Sequence, residues 1–407
     1  MSFQQGLSGL NAASKNLDTI GNNVANANTV GFKQSQAQFA DVFANSLSGG
    51  SNIQSGIGVK VATIAQQFNQ GVITATSNPL DVAINGNGFF RLSSQEGISY
   101  TRNGQFHPDK DGFIINSSGM RLTGYSANTA GTINTSAPAD LRISTADLPP
   151  AATTKVSGVV NLDSRELALS PATFDLADPT TYHSTTSVSI HDSLGNASTL
   201  SAYFLKTGTN SWDIFAANEG SLLNGGASVG ALNFLSNGAL DPSSSSIFSM
   251  TAPVSTGGTN PLAFNLDFTG TTQFGSDFGV NALAQDGYTS GRLTGFAVGA
   301  NGAIRGSYSN GEFLTLGQVA LANFANPQGL EMRGNNTWTE SAASGAALVG
   351  VPNTGGLGVL QSGAVEDSNV ELTSELVNMI TAQRVYQANA QTIKTQDQLL
   401  QTIVNLK

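Results

Sequence analysis

The last stretch of the chain, residues 368–407, reads SNVELTSELVNMITAQRVYQANAQTIKTQDQLLQTIVNLK, and it decides the fold. From Asn369 to Lys407 there is neither proline nor glycine. Ser368 and Glu371 stand at capping-box spacing, where a hydroxyl and a carboxylate three residues apart close the free amides of a helix start. Every seventh position from there is apolar: Leu372, Met379, Tyr386, Ile393 and Leu400. That period marks a helix in left-handed coiled-coil contact. At ~1.5 Å rise per residue it would run on the order of 55 Å.

The opposite end of the chain matches it. No proline precedes Pro79, Ser2 and Gln5 have capping-box spacing, and Leu7, Leu10, Leu17 and Val24 fall in one heptad frame. Ser14 and Gly21 fill the remaining places of that frame, a weaker stripe that permits close approach. The two helices could pack on each other within one subunit or on neighbouring copies. A long helix with a narrow apolar stripe is marginal alone, which favours partners. Lying at opposite chain ends, the two bracket everything between them, so the domains should nest with the termini together.

Between the helices the pattern turns to short strands. Apolar runs at 82–84, 89–92, 98–102, 113–115 and 121–125 alternate with Asn85-Gly86, Asn87-Gly88, Asn103-Gly104 and Asp111-Gly112. Such pairs supply the positive φ angles of tight hairpins. They return at Asn301-Gly302 and Asn310-Gly311, and Pro149-Pro150 marks a boundary. Residues 151–289 alternate on their own account, as an antiparallel barrel or sandwich would. The expected fold class is α+β and multidomain, with long terminal α-helices and two nested, mainly antiparallel β domains. Residues 1–30 with 366–407 form an inner helical assembly domain, 31–77 a linker and contact segment, 78–148 with 290–365 a first β domain, and 149–289 an inserted outer β domain. Gly49-Gly50 and Gly56-Ile57-Gly58 read either as joints or as ordinary loops.

Charged residues make up only 11% of the 407, and the net charge is −10. Eleven acids against Lys155, Arg165 and Lys206 place most of that charge between 151 and 290, as on a solvated, outward domain. So acidic a chain argues against nucleic acid as a partner, because phosphate binding needs concentrated Lys and Arg. There is no cysteine, and no apolar run reaches the ~18 residues that span a bilayer. The start of the chain has no cleavable-signal pattern. The histidines His107, His183 and His191 have no metal-ligand spacing, and no nucleophile elbow or phosphate loop is present. The residues therefore point to no catalytic, cofactor-binding or metal site. An adhesin or secreted effector would suit the acidic middle, but has no need of heptad helices at both ends.

Three segments resemble the axial proteins of the bacterial flagellum. The first is LSGLNAA at 7–13, running through NLDTIGNNVAN at 16–26 to TVGFK at 29–33. The second is LDVAI at 80–84 with NGFF at 87–90 and YTRNGQF at 100–106. The third is LVNMITAQRVY at 376–386 with AQTIKTQD at 390–397. Together with GQVALANFAN at 317–326, they are most similar to the hook subunits of this rod and hook family. The distal rod, or another axial subunit, is the alternative; the inserted domain at 149–289 favours the hook. The resemblance implies a non-enzymatic subunit exported through the flagellar type III apparatus. It further implies a homopolymer assembled under a hook cap protein, between the distal rod and the hook–filament junction proteins. The product would be a curved, flexible extracellular tube that passes motor torque to the filament. On that reading Leu7, Leu10, Leu17, Val24, Leu372, Met379, Tyr386, Ile393 and Leu400 carry self-assembly.

Overall fold

The computed structural model describes residues 2–42, 56–144 and 146–405; the Gly49-Gly50 turn lies outside the described residues. The chain folds as two compact units. One comprises Met1–Ser144, Gly295–Gly306 and Leu314–Lys407, the other Thr145–Thr294 and Ser307–Phe313.

The first unit holds both helices, α1 at Ser2–Ala25 and α2 at Leu372–Asn405. The segment after α1 is a two-stranded antiparallel ribbon, Ser35–Val42 against Gly58–Gln66. Its second strand is pinned to α1, where the Val59 amide donates to Ser8 Oγ at 3.3 Å. The β body is built around Phe89–Ser94. One edge of this strand pairs with Gly97–Thr101, the other with Arg121–Ser126 and Leu321–Asn323, all antiparallel. Thr337–Thr339 extends the sheet from Gly97–Thr101. Two further pairs bring the returning chain home: Val359–Ser362 on Val82–Asn85, and Ala364–Glu366 on Ile73–Ala75.

Phe89, Tyr100, Phe324 and Trp338 form the aromatic centre of the body, with Phe68 packed against it. The rings meet edge to face, Tyr100 on Phe324 at 4.8 Å and Phe89 on Trp338 at 5.8 Å. Edge-to-face pairs add about 0.5–1.5 kcal/mol beyond the burial itself. The Trp338 indole N–H donates to Gln66 Oε1 and so ties the ribbon to the body. The 317–326 motif is deeply placed, with Val319, Ala320, Leu321 and Ala322 all buried.

The hairpin glycines Gly86, Gly88, Gly112, Gly302 and Gly311 adopt positive φ, as the turn signals require. Gly104 does not. There the reason for glycine is close approach: a Cβ would collide with the Val82 carbonyl, while the Val82 amide donates to Gly104 O at 2.9 Å.

The second unit is two five-stranded sheets around one core. One is antiparallel throughout, with Ser184–His191, Ala197–Gly208 and Ser211–Asn218 in sequence order. The other departs from the antiparallel expectation. Its central strand, Lys155–Asp163, pairs parallel with both Leu262–Asp267 and Thr272–Phe274, and antiparallel with Gly279–Gln285. A nine-residue strand is long enough to take two short partners end to end on one edge. Local alternation cannot show this, because it is the same for parallel and antiparallel neighbours. Val160, Leu162, Phe204, Trp212 and Phe264 fill the space between the sheets. His183 is structural: its ring packs edge-on to Trp212 at 5.4 Å and Nδ1 accepts the Lys206 amide at 3.1 Å.

The acids of this unit set an acid limit on its stability. Burial alone would raise the Asp192 carboxyl, but hydrogen bonds from Thr256, Asn196 and Leu194 outweigh it and bring it to about 2. Hydrogen bonds from Thr269 and Lys155 bring Asp267 to about 2 as well. Both folded values lie below the ordinary carboxylate value of about 4. Their stabilising contribution is therefore complete above pH ~4 and is lost as pH falls from there to ~2. The thermal midpoint of this unit should fall steeply across that window. Asp192→Asn should flatten the fall, and an unchanged slope would contradict the assignment.

Candidate assembly surface on the terminal helices

α1 and α2 run antiparallel. Gly6 lies against Ile393, Gly9 against Asn389, and the Asn23 side chain reaches Glu375. The α1 side of this seam meets α2 at Gly6, Gly9 and Asn23, and Ala13, Asn16 and Ile20 continue the same three-four spacing between them. A Cβ at Gly9 would stand 2.7 Å from Asn389 Oδ1, so glycine here lets the helices come close. This seam sits one residue before the heptad frame expected from the sequence.

The far end of the seam is closed by a polar latch. Asn23 Nδ2 donates to Ser35 O at 2.8 Å, and Gln34 Nε2 donates to Glu375 Oε1 at 2.6 Å. Asn369 Oδ1 accepts the Gln34 amide at 2.7 Å, and its Nδ2 donates to Gln67 O at 2.8 Å. The expected capping box at Ser368 and Glu371 does not form. Ser368 Oγ accepts from the Val370 amide, and α2 begins only at Leu372. Asn369 holds the ribbon instead of entering the helix, and that delays the start. The side chain of Ser2, the other expected cap, lies outside the described residues.

The subunit leaves four of the nine residues expected to carry assembly exposed and the other five half-buried. Leu7 is 45% exposed, and Leu10, Leu17 and Val24 are half-buried. On α2, Leu372 at 47%, Tyr386 at 37% and Leu400 at 50% are exposed, whereas Met379 and Ile393 are half-buried. Of the nine, Ile393 is the one that meets an α1 seam glycine. Following a single heptad position missed the rest of the surface. Leu376, Val377, Ile380, Val385 and Leu399 are exposed too, so α2 is apolar on several faces. Large apolar side chains left exposed on several sides of one helix mark a surface that a partner covers. A cleft of about 900 Å³ opens beside it between α1, α2 and the ribbon, lined by Ala12, Ile20, Phe39, Ala382 and Val385 among others.

At the foot of the helices the motifs meet. Lys33 Nζ lies 2.6 Å from Glu366 Oε1, and Arg102 Nη1 lies 3.1 Å from Glu366 Oε2, with all three side chains buried. Burial pushes the Lys33 ammonium down, against the pull of the Glu366 carboxylate, and burial likewise lowers Arg102. Lys33 and Arg102 belong to the first two motifs of the sequence. Glu366 lies outside the third and was not foreseen.

Known proteins resemble the chain along its whole length. Residues 3–33 match the family described as flagella basal body rod protein, and 83–157 the flagellar hook protein FlgE/F/G D1 domain. Residues 161–288 match the flagellar basal body protein FlaE D2 domain, and 361–406 the flagellar basal body rod FlgEFG protein C-terminal family. The flagellar hook protein FlgE of Escherichia coli is 43% identical over 416 residues, covering 100% of both chains. That of Salmonella typhimurium is 43% identical over 418 residues, again covering 100% of both. That of Treponema pallidum is 36% identical, covering 100% of this chain and 99% of its own. The crystal structure of Helicobacter pylori flagellar hook protein FlgE2 has the same fold at a TM-score of 0.54 and 16% identity, covering 72% of this chain and 100% of that one. Full-length identity at this level, with an inserted domain matched in its own right, establishes that the chain belongs to the flagellar hook protein (FlgE) family and is a structural, non-enzymatic subunit of the hook.

Proposed function

We propose that copies of this subunit polymerise through their terminal helices into the curved, flexible tube of the hook, which carries motor torque to the filament. The observation that carries the reading is the exposed apolar surface of α2, from Leu372 to Leu400. Each large side chain there is already about half covered, so its burial by a neighbour would contribute up to about 1.5 kcal/mol. In this reading residues 1–30 with 366–407 act as the assembly domain, and 149–289 face outward. Family likeness supports the finer partners: a hook cap at the growing tip, the distal rod below, junction proteins above, and type III export of the unfolded chain.

Two experiments test this. Helicity by far-UV circular dichroism should rise when dilute monomer is polymerised, because partners complete the helices. Full helicity in the monomer would contradict coupled folding. For placement, a thiol can be introduced without ambiguity, since the chain has no cysteine. Ser245 is exposed in the loop before Ile247–Ala252, whereas Ser244 beside it is half-buried. With Ser245→Cys, a membrane-impermeant maleimide dye should mark a spot at the base of each filament on swimming cells. Swimming cells without label would contradict the outward placement.

A further inference from the structure

We infer that the buried Lys33–Glu366–Arg102 cluster is a rigid joint that transmits force between both terminal helices and the β body, and is not a hinge. This rests on the polymerisation reading above, because a load reaches the joint only if the helices are held by neighbours.

The three residues come from three different parts of the first unit. Lys33 lies just beyond α1, Glu366 just before α2, and Arg102 in the body. The covalent path from each helix to the body runs through the segment that holds Lys33 or Glu366. Both are welded at this point. Lys33 Nζ also donates to Asn69 O at 2.7 Å, and Arg102 Nη2 donates to Gly86 O at 2.8 Å. Glu366 Oε1 accepts the Gly71 amide at 2.9 Å, and its backbone carbonyl accepts the Gly31 amide at 2.8 Å. The carboxylate thus gathers contacts from three separate stretches of chain. A hinge shows the reverse: few buried contacts and solvated backbone.

The charge count makes the inference specific. Two cations share one carboxylate. Losing the carboxylate leaves two buried cations uncompensated, which is strongly destabilising, whereas losing Lys33 leaves a balanced pair. The two substitutions should therefore behave unequally, although they break the same salt bridge.

The test uses the full-length chain. In purified Glu366→Gln, hydrogen exchange at the Gly31 and Gly71 amides should quicken by at least about 100-fold, with the amides of Phe89–Ser94 unchanged. In Lys33→Met the change should stay below about 10-fold, and cells should build hooks of normal length. Those hooks should twist further under the same torque when a tethered cell is turned with its motor locked. Equal exchange in the two variants would overturn the joint, as would quickening spread across the whole β body. Lys33→Met hooks as stiff as the parent would overturn it also. If Lys33→Met built no hooks, the exchange comparison would decide alone. That comparison needs no polymer, so a failure of the helix-assembly reading would leave it standing and be told apart.

Discussion

The Leu376→Asp, Ile380→Asp double variant is expected to form no tubes and to leave cells non-motile, while its isolated subunit melts almost as the parent does. Both side chains are exposed in the single subunit, at 45% and 51%. Exposed substitutions away from caps and cores usually change stability by no more than about 0.5 kcal/mol each. In the tube the same positions would be covered. Because each side chain is already about half covered, two lost apolar contacts remove about 1.5–3 kcal/mol per interface, and an unpaired buried carboxylate adds a further penalty. A loss of ~3 kcal/mol already weakens association more than about 100-fold, and every copy in the tube carries it. Sedimentation of purified protein and electron microscopy of cells would read the outcome. Normal hooks in this variant would remove α2 from the assembly surface.

Gly31→Val is expected to fail differently, within the subunit. Gly31 has φ of +71°, and a Cβ on it would stand 2.5 Å from the Asn103 amide nitrogen. Its own amide donates to Glu366 O, and Asn336 Nδ2 donates to Val30 O beside it at 3.1 Å. A β-branched residue pays about 1–2 kcal/mol for the left-handed conformation alone. The backbone collision is added to that, because nothing flexible can move aside, and together they should cost about 3 kcal/mol or more. Urea denaturation should show the loss, and limited proteolysis should cut the segment around Lys33 first. A midpoint equal to the parent's would mean that the tight turn is not needed.

Much of this was legible in the residues. Strands that are half buried and joined by Asn-Gly pairs announce themselves locally, and Phe89–Ser94 and Arg121–Ser126 appear where the alternation places them. The helices were equally visible, because α2 lacks any glycine or proline over 34 residues. The seam between them was not, since its signal is the absence of bulk at Gly6, Gly9 and Ala13, one position away from a more conspicuous leucine frame. Small residues at three-four spacing would have found it. The capping box misled because Asn369 is claimed by Gln34 and Gln67, contacts about 300 residues away in sequence. Distance hid Glu366 for the same reason: nothing near it in the chain indicates that Lys33 and Arg102 converge on its carboxylate. The parallel strand pairs of the second unit are likewise a matter of topology, which alternation does not encode.

Whether α2 is an assembly surface is decided by a helical reconstruction of intact hooks by electron cryomicroscopy. The expected map buries Leu376, Ile380, Leu399 and Leu400 against helices of neighbouring copies. A map in which those four side chains face open solvent, with neighbours joined only through their β domains, would contradict it.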